Sequence, residues 1–183
     1  MQVLSKQAQR EICLKGRRAL SSEQRESFSK LICDKVMSLD EFRNAKCILS
    51  YRSSFDEVCP DYLSDSGKQF CYPVSYEDGI MEARLPDAID GWQEGRFGIL
   101  SPDIEHSVLV RPEDIDLVIV PCVGFDESRR RLGHGKGYYD RYLPKCKNAN
   151  LLAIAFEAQK LDEVATDQYD VPMQFVVTEK QIY

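Results

Sequence analysis

Three glycines alternate in one short stretch. Gly133, Gly135 and Gly137 are preceded by Arg131 and interleaved with His134 and Lys136, and Asp140 follows one helical turn later. Glycine has no Cβ, so its backbone N–H can approach an anion closely and take left-handed angles. Arg131 and Lys136 add formal positive charge. The chemistry that fits is a phosphate-gripping loop over residues 131–140, although the spacing is neither Walker A nor G-x-G-x-x-G. Asp140 would repel a bound phosphate unless Mg2+ lies between them. Magnesium is commonly held by one or two carboxylates plus phosphate oxygens. The plainer alternative is an acid complementing the dipole in a first helical turn. A second carboxylate could come from Asp162, Glu163, Asp167 or Asp170, and spacing alone does not choose. Lys6 and Arg10 lie at i and i+4, so they share a helix face and could reach a polyphosphate. A solvated helix face is an equal reading of that pair. His134 sits inside the glycine loop, whereas His106 reads as a surface loop residue.

The elements that must position these residues are legible as runs and periods. The first ~20 residues read as a rather polar helix. Ser21 with Gln24 is a capping box opening a second helix. Phe28, Leu31, Ile32, Val36 and Leu39 follow the i, i+3, i+4 spacing of an amphipathic helix. Short apolar runs follow at residues 47–51, 70–73, 117–120, 151–156 and 175–177. Runs 117–120 and 151–156 lack polar alternation, as in strands buried on both faces of a parallel sheet. Helical stretches are expected near residues 57–65 and 138–143, with Pro144 ending the latter. The expected fold is α/β, one three-layer domain over residues 1–183 with a mostly parallel central sheet flanked by helices. The glycine loop then leaves the C-terminal end of a buried strand, where ligands bind open α/β sheets, and empties onto a helix N-terminus, which favours anions. Residues 74–115 read as loop-rich, with several glycines and prolines.

Composition bounds the function classes. The 183 residues are 43% hydrophobic and 30% charged, ordinary values for a globular domain. No apolar run approaches the roughly 20 residues of a membrane helix. Residues 1–18 lack the apolar centre of a signal peptide, so the cytoplasm is the expected location. Seven cysteines, none closer than 12 residues to the next, fit reduced thiols better than a disulfide framework or a CxxC zinc site. The net charge is −6, but residues 1–35 and 129–147 are basic islands. Two such islands on an acidic protein suggest a focused anion site, whereas nucleic-acid domains are usually basic throughout. No HExxH, GxSxG or cysteine–histidine arrangement is present.

Val123-Gly-Phe-Asp126 followed by Arg131-Leu-Gly-His-Gly-Lys-Gly-Tyr-Tyr-Asp-Arg141 resembles the signature of the 5-formyltetrahydrofolate cyclo-ligase (methenyltetrahydrofolate synthetase) family. Weaker similarities occur in the right order along the chain. They are Lys6 and Arg10 with Arg17 and Arg18, then Asp56-Glu57-Val58, Phe97-Gly98-Ile99 with Pro102, and Asp170 before Val176-Val177-Thr178-Glu179. The resemblance implies an NagB/RpiA/CoA-transferase-like architecture. It also implies ATP- and Mg2+-dependent closure of 5-formyltetrahydrofolate to 5,10-methenyltetrahydrofolate, with ADP and phosphate released. It further implies ATP contacts at Lys6, Arg10, Arg131, Leu132, Gly133, His134, Gly135, Lys136, Gly137, Tyr138 and Tyr139, with Lys136 and Arg131 catalytic. Folate contacts are implied at Arg52, Glu57, His134, Gly135, Lys136, Gly137 and Tyr138. Phe97 could stack on the pterin or be a core phenylalanine. Asp140 and Asp170 are the implied Mg2+ ligands. The expected partners are small molecules alone, with no nucleic acid or membrane, and the expected state is a monomer. Four positions depart from the family pattern. Arg129 replaces a turn glycine, Ser101 an acid or amide, Ala165 a proline, and Tyr169 a histidine or tryptophan. A non-catalytic folate- or nucleotide-binding regulator on the same scaffold is the alternative reading, and the intact loop disfavours it.

Overall fold

The computed structural model describes residues 3–95 and 98–183. Phe97, expected beside the pterin, lies outside the described residues. The chain opens with helices α1 (Lys6–Arg18), α2 (Ser22–Ser38) and α3 (Asp40–Asn44). Strands β1 (Cys47–Leu49), β2 (Gln69–Ser75), β3 (Met81–Pro86), β4 (Trp92–Glu94), β5 (Leu100–Pro102), β6 (Ser107–Val110) and β7 (Leu117–Pro121) follow. The short pair β8 (Gly124–Phe125) and β9 (Arg131–Leu132) precedes helix α4 (Tyr138–Tyr142), then strands β10 (Asn150–Ile154) and β11 (Phe175–Val177) close the fold.

Seven strands form one sheet in the order β11-β10-β7-β1-β2-β3-β6. The first five run parallel, and β3 and β6 add antiparallel pairs at one side. Both faces of the middle strands are covered, which is why β7 shows no polar alternation. Its Leu117 and Ile119 pack with Ile32, Val36, Phe42 and Phe156 on one face. Its Val118 and Val120 pack with Tyr142, Leu143 and Cys146 on the other. Successive side chains on a strand point to opposite faces, so one run feeds two cores.

The helix termini carry the expected signals. The Ser21 side chain accepts from Gln24 N–H while the Gln24 side chain accepts from Ser21 N–H, completing the capping box. On α2, Ile32 and Val36 are fully buried, but Leu31 is 46% exposed, so the apolar stripe is narrower than its spacing suggested. Residues 60–66 form a 3-10 helix rather than an α-helix, beginning at Pro60. The loop-rich reading of residues 74–115 is corrected: the segment holds β3, β6 and the β4–β5 hairpin. Glycines and prolines there punctuate short strands, which pair as the β2–β3 and β4–β5 hairpins and, across the intervening segment, as β3 with β6.

Candidate active site

The glycine loop hangs between β9 and α4, clamped from three sides. On the first side, α1 is capped by Ser5, whose side chain accepts from Ala8 N–H. Gly16 lets this helix approach the chain closely, since a Cβ there would meet the Ala158 carbonyl oxygen at 2.5 Å. The Gln9 side chain is buried and binds the C-terminal segment twice, donating to Glu163 O at 2.7 Å and accepting from Ala165 N–H at 2.9 Å. That docking sets Arg10 over the loop, where its Nε donates to Gly133 O at 2.8 Å. The Arg10 guanidinium would lie only 3.1 Å from a Cβ at Gly135, whose φ is +89°. A side chain at residue 135 would therefore meet both backbone strain and the arginine.

Lys6, one turn earlier on α1, is paired with Asp167 at 2.7 Å and Asp170 at 2.6 Å. Burial works against the ammonium, but the two carboxylates outweigh it and raise its pKa. Asp170 also accepts the Asp167 N–H at 2.6 Å. Two implied site residues far apart in sequence, Lys6 and Asp170, are thus in direct contact.

The second side is the turn after β1. The Glu57 Oε1 atom lies 3.0 Å from His134 Nε2, and its Oε2 accepts from Ser54 N–H at 2.9 Å. Glu57 is 10% exposed. Burial alone would raise its carboxyl pKa, but the hydrogen bonds from His134 and Ser54 and the nearby Arg17 charge hold it below the usual carboxylate range. Behind it, the buried Arg17 and Asp56 pair at 2.9 Å. Arg52 reaches Asp61 at 2.7 Å and lies over the Trp92 ring at 4.4 Å and the Tyr72 ring at 5.6 Å, while the two rings meet edge to face. A groove of about 290 Å³ opens beside Glu57, lined in part by Ser53, Phe55, Arg25 and Tyr62.

The third side is the turn between β2 and β3. Tyr138 donates its hydroxyl to Tyr76 O at 2.9 Å. Arg141 donates to Gly79 O at 3.1 Å and to Lys136 O at 2.7 Å. Gly137 begins α4 with φ +68°. This helix is five residues long and continues as a 3-10 turn over Leu143–Lys145. It is too short to carry a large macrodipole, so loop N–H groups and cations dominate the electrostatics of the loop.

Arg131 is 4% exposed and pairs with Asp140 at 2.8 Å, while also donating to Pro121 O at 3.1 Å. Its Nε is buried without a partner, as is the Tyr139 hydroxyl beneath it. Lys136 differs from the other cations: its side chain is exposed and has no hydrogen bond or ion pair among the described residues. Among the described residues, no group of three or more histidine, cysteine, aspartate or glutamate side chains is arranged to hold a metal ion.

The turn entering the loop explains one departure noted in the sequence. Arg129 adopts φ +63°, the left-handed angle its glycine counterpart would take. Asp126 stabilises that turn by accepting from Ser128 N–H, Arg130 N–H and Val164 N–H and from Arg130 Nε. Asp126 and Gln159 are fully buried anchors that sequence reasoning did not assign. Gln159 donates to Cys122 O and Val123 O. Asp126 showed in sequence only as part of the family signature and Gln159 not at all, because the role of a buried polar residue shows only with its burial. Tyr169 is 71% exposed, and Ala165 holds its place through its N–H bond to Gln9.

With this geometry defined, the chain can be compared with known proteins. A sequence profile of the 5-formyltetrahydrofolate cyclo-ligase family matches residues 2–179. The chain belongs to this family. A mouse 5-formyltetrahydrofolate cyclo-ligase is 30% identical over 178 residues, covering 88% of this chain and 87% of the relative. The relative of that name from Haemophilus influenzae is 28% identical over 169 residues, covering 87% of this chain and 89% of the relative. The solved structure of Aquifex aeolicus 5,10-methenyltetrahydrofolate synthetase superposes with a TM-score of 0.85 at 32% identity, covering 98% of this chain and 92% of that one. Of the residues the resemblance implied, the structure pairs Lys6 with Asp170, Glu57 with His134 and Arg131 with Asp140, and sets Arg10 on the backbone of the loop at Gly133.

Proposed function

We infer that the protein is an ATP-dependent 5-formyltetrahydrofolate cyclo-ligase, forming 5,10-methenyltetrahydrofolate, ADP and phosphate. The observation that carries this reading is the clamped glycine loop, with cations on its nucleotide side and Glu57 on the other. The formyl oxygen is a poor leaving group from carbon. Transfer of the γ-phosphoryl group to that oxygen releases ADP and makes it a phosphate leaving group; the neighbouring folate nitrogen attacks the formyl carbon, the carbon–oxygen bond breaks to release phosphate, and the attacking nitrogen gives up its proton to solvent as the ring closes. Such catalysis rests on alignment and on neutralising the charge of the transferred group.

In this reading Lys6, Arg10, Arg131 and Lys136 face the ATP phosphates, with loop N–H groups from residues 132–139. Lys136 is suited to the moving charge because no side chain among the described residues holds its ammonium. Arg131 is suited to a fixed role because Asp140 and Pro121 hold it in place. Glu57 and Arg52 face the folate, together with His134 and Tyr138. A carboxylate at Glu57 accepts hydrogen bonds from the donors on a pterin edge, and its low pKa keeps it ionised near neutral pH.

Magnesium fits the donor set. Among the described residues, one Asp140 oxygen takes Arg131 and the other has no hydrogen bond, and Asp170 likewise has one oxygen without a bond. Asp140 and Asp170 would hold the ion, with remaining ligands from phosphate and water. Bound there, Mg2+ would supply charge neutralisation on the β- and γ-phosphates. We assign the protein to the cytoplasm, because all seven cysteines are free thiols. We propose a monomer as its working state.

The test is direct. Purified protein is mixed with 5-formyltetrahydrofolate, ATP and Mg2+, and the methenyl chromophore is followed by absorbance. A rise that needs ATP and Mg2+ is expected. Binding of both substrates without turnover would replace this reading with that of a regulator.

A further inference from the structure

We propose that Arg17 is a positioning residue for folate recognition, holding Glu57 and through it His134 in place from beneath the site. The inference rests on the reading of Glu57 and His134 as folate-facing residues. Arg17 lies on the last turn of α1, seven residues after Arg10, about 10 Å further along the helix. Its side chain is 3% exposed. One arm, Nη2, is fixed by Asp56 Oδ1 at 2.9 Å. Asp56 is itself anchored by Ser54 Oγ at 3.1 Å and Arg18 Nε at 3.2 Å. The other arm, Nη1, is buried without a hydrogen bond and lies 3.7 Å from Glu57 Oε1.

That oxygen is the one His134 Nε2 contacts at 3.0 Å. Glu57 Oε1 therefore sits between a buried cation below and the glycine loop above. A movement of about 0.7 Å would bring Nη1 within hydrogen-bond distance, so a substrate pressing on Glu57 meets a buried cation close behind it. A buried ion pair adds little net stability over well-packed apolar residues, and its best-attested use is to fix geometry. Here the planar fork of one guanidinium spans two adjacent carboxylates, Asp56 and Glu57, which a lysine ammonium reaches less well. The network runs from α1 through Arg17 to Glu57, His134 and the loop, so one helix sets both the ATP cations and the folate carboxylate.

The experiment measures KM for each substrate separately. Arg17→Gln is combined with Asp56→Asn, which removes the partner charge that the first change would orphan. The expected result is a rise of about tenfold in KM for 5-formyltetrahydrofolate, the smaller effect of one lost charge-assisted contact. KM for ATP should change less than about twofold. If both constants rise together, or neither moves, Arg17 is a structural residue and the proposal fails. Should the double variant not fold, Arg17→Lys keeps the buried charge for Asp56, and the same split at smaller amplitude is required. Glu57→Gln runs alongside. If it leaves the folate KM unchanged, the folate-facing reading of Glu57 is wrong. If it raises that KM while the Arg17 variants do not, only the role of Arg17 is refuted.

Discussion

Replacing Asp140 by asparagine separates its ion pair with Arg131 from the magnesium role proposed for it. The amide would keep the size and an acceptor oxygen for Arg131, so the hydrogen bond at 2.8 Å survives in outline. What is lost is the charge facing a guanidinium that is 4% exposed. Arg131 stays charged, so the bond remains charge-assisted from one side, and the exchange loses only the ion-pair share of a bond of about 1.5–3 kcal/mol, about 1–2 kcal/mol. The cost stays below the 3–5 kcal/mol of removing a buried partner outright, because Asp140 is 22% exposed and water screens part of the pair. For a chain of this length that lowers Tm by about 3–5 °C. Thermal unfolding of ligand-free protein with a chelator present reads this loss alone. A magnesium titration at saturating ATP and folate reads the second role, where losing one carboxylate ligand should raise half-saturation about tenfold. An unchanged Tm would refute the Arg131–Asp140 reasoning. A lowered Tm with an unchanged magnesium requirement would leave Asp140 a structural partner of Arg131 and remove it from the metal site.

Three further outcomes are expected. Lys136→Ala should lower kcat at least about a hundredfold while shifting stability by less than about 0.5 kcal/mol, since its ammonium has no partner among the described residues; a variant with near-normal kcat, or one that unfolds early, would contradict this. Arg129→Gly should be more stable than Arg129→Ala by about 1 kcal/mol, because both remove the guanidinium but only glycine relieves the φ of +63°; urea midpoints that rank the two the other way would show no strain there. The depressed Glu57 carboxyl, favoured over its burial by His134 and Ser54, contributes stability that is present above its unfolded pKa near 4.3 and is lost as pH falls through the lower folded value. Wild-type urea midpoints should therefore fall below about pH 4.5 more steeply than those of Glu57→Gln, and parallel pH profiles would mean that Glu57 is not so perturbed.

Much of the fold was legible because burial writes itself into local sequence. Each of the five apolar runs became a parallel strand of the main sheet. The Ser21 capping box depends only on residues three apart. The β3 strand was missed although Met81 to Leu85 alternates apolar and polar residues, because the surrounding glycines and prolines dominated the reading, and β6 is a four-residue run whose pairing with β3 crosses the β4–β5 hairpin. Within the site, the loop and its cations were readable from glycine spacing, and the family signature named Lys6, Glu57 and Asp170. Their partners were not readable. Arg17 and Arg18 look alike as neighbours in sequence, yet one is 3% exposed and the other 62%. Asp167, one of four equivalent acids by spacing, pairs with Lys6 together with Asp170.

The sequence by itself determined the chemistry available: an alternating-glycine loop, a set of cations, and carboxylates enough for a magnesium ion. Those properties belong to residue type and near-neighbour spacing, which need no fold to be stated. Only the tertiary structure decided which carboxylate faces which cation. Lys6 and Asp170 are 164 residues apart, and His134 and Glu57 are 77 apart. Ion pairing depends on separation in space over a few ångströms, and the sheet order that brings those segments together is set by the packing of both buried faces rather than by any local signal.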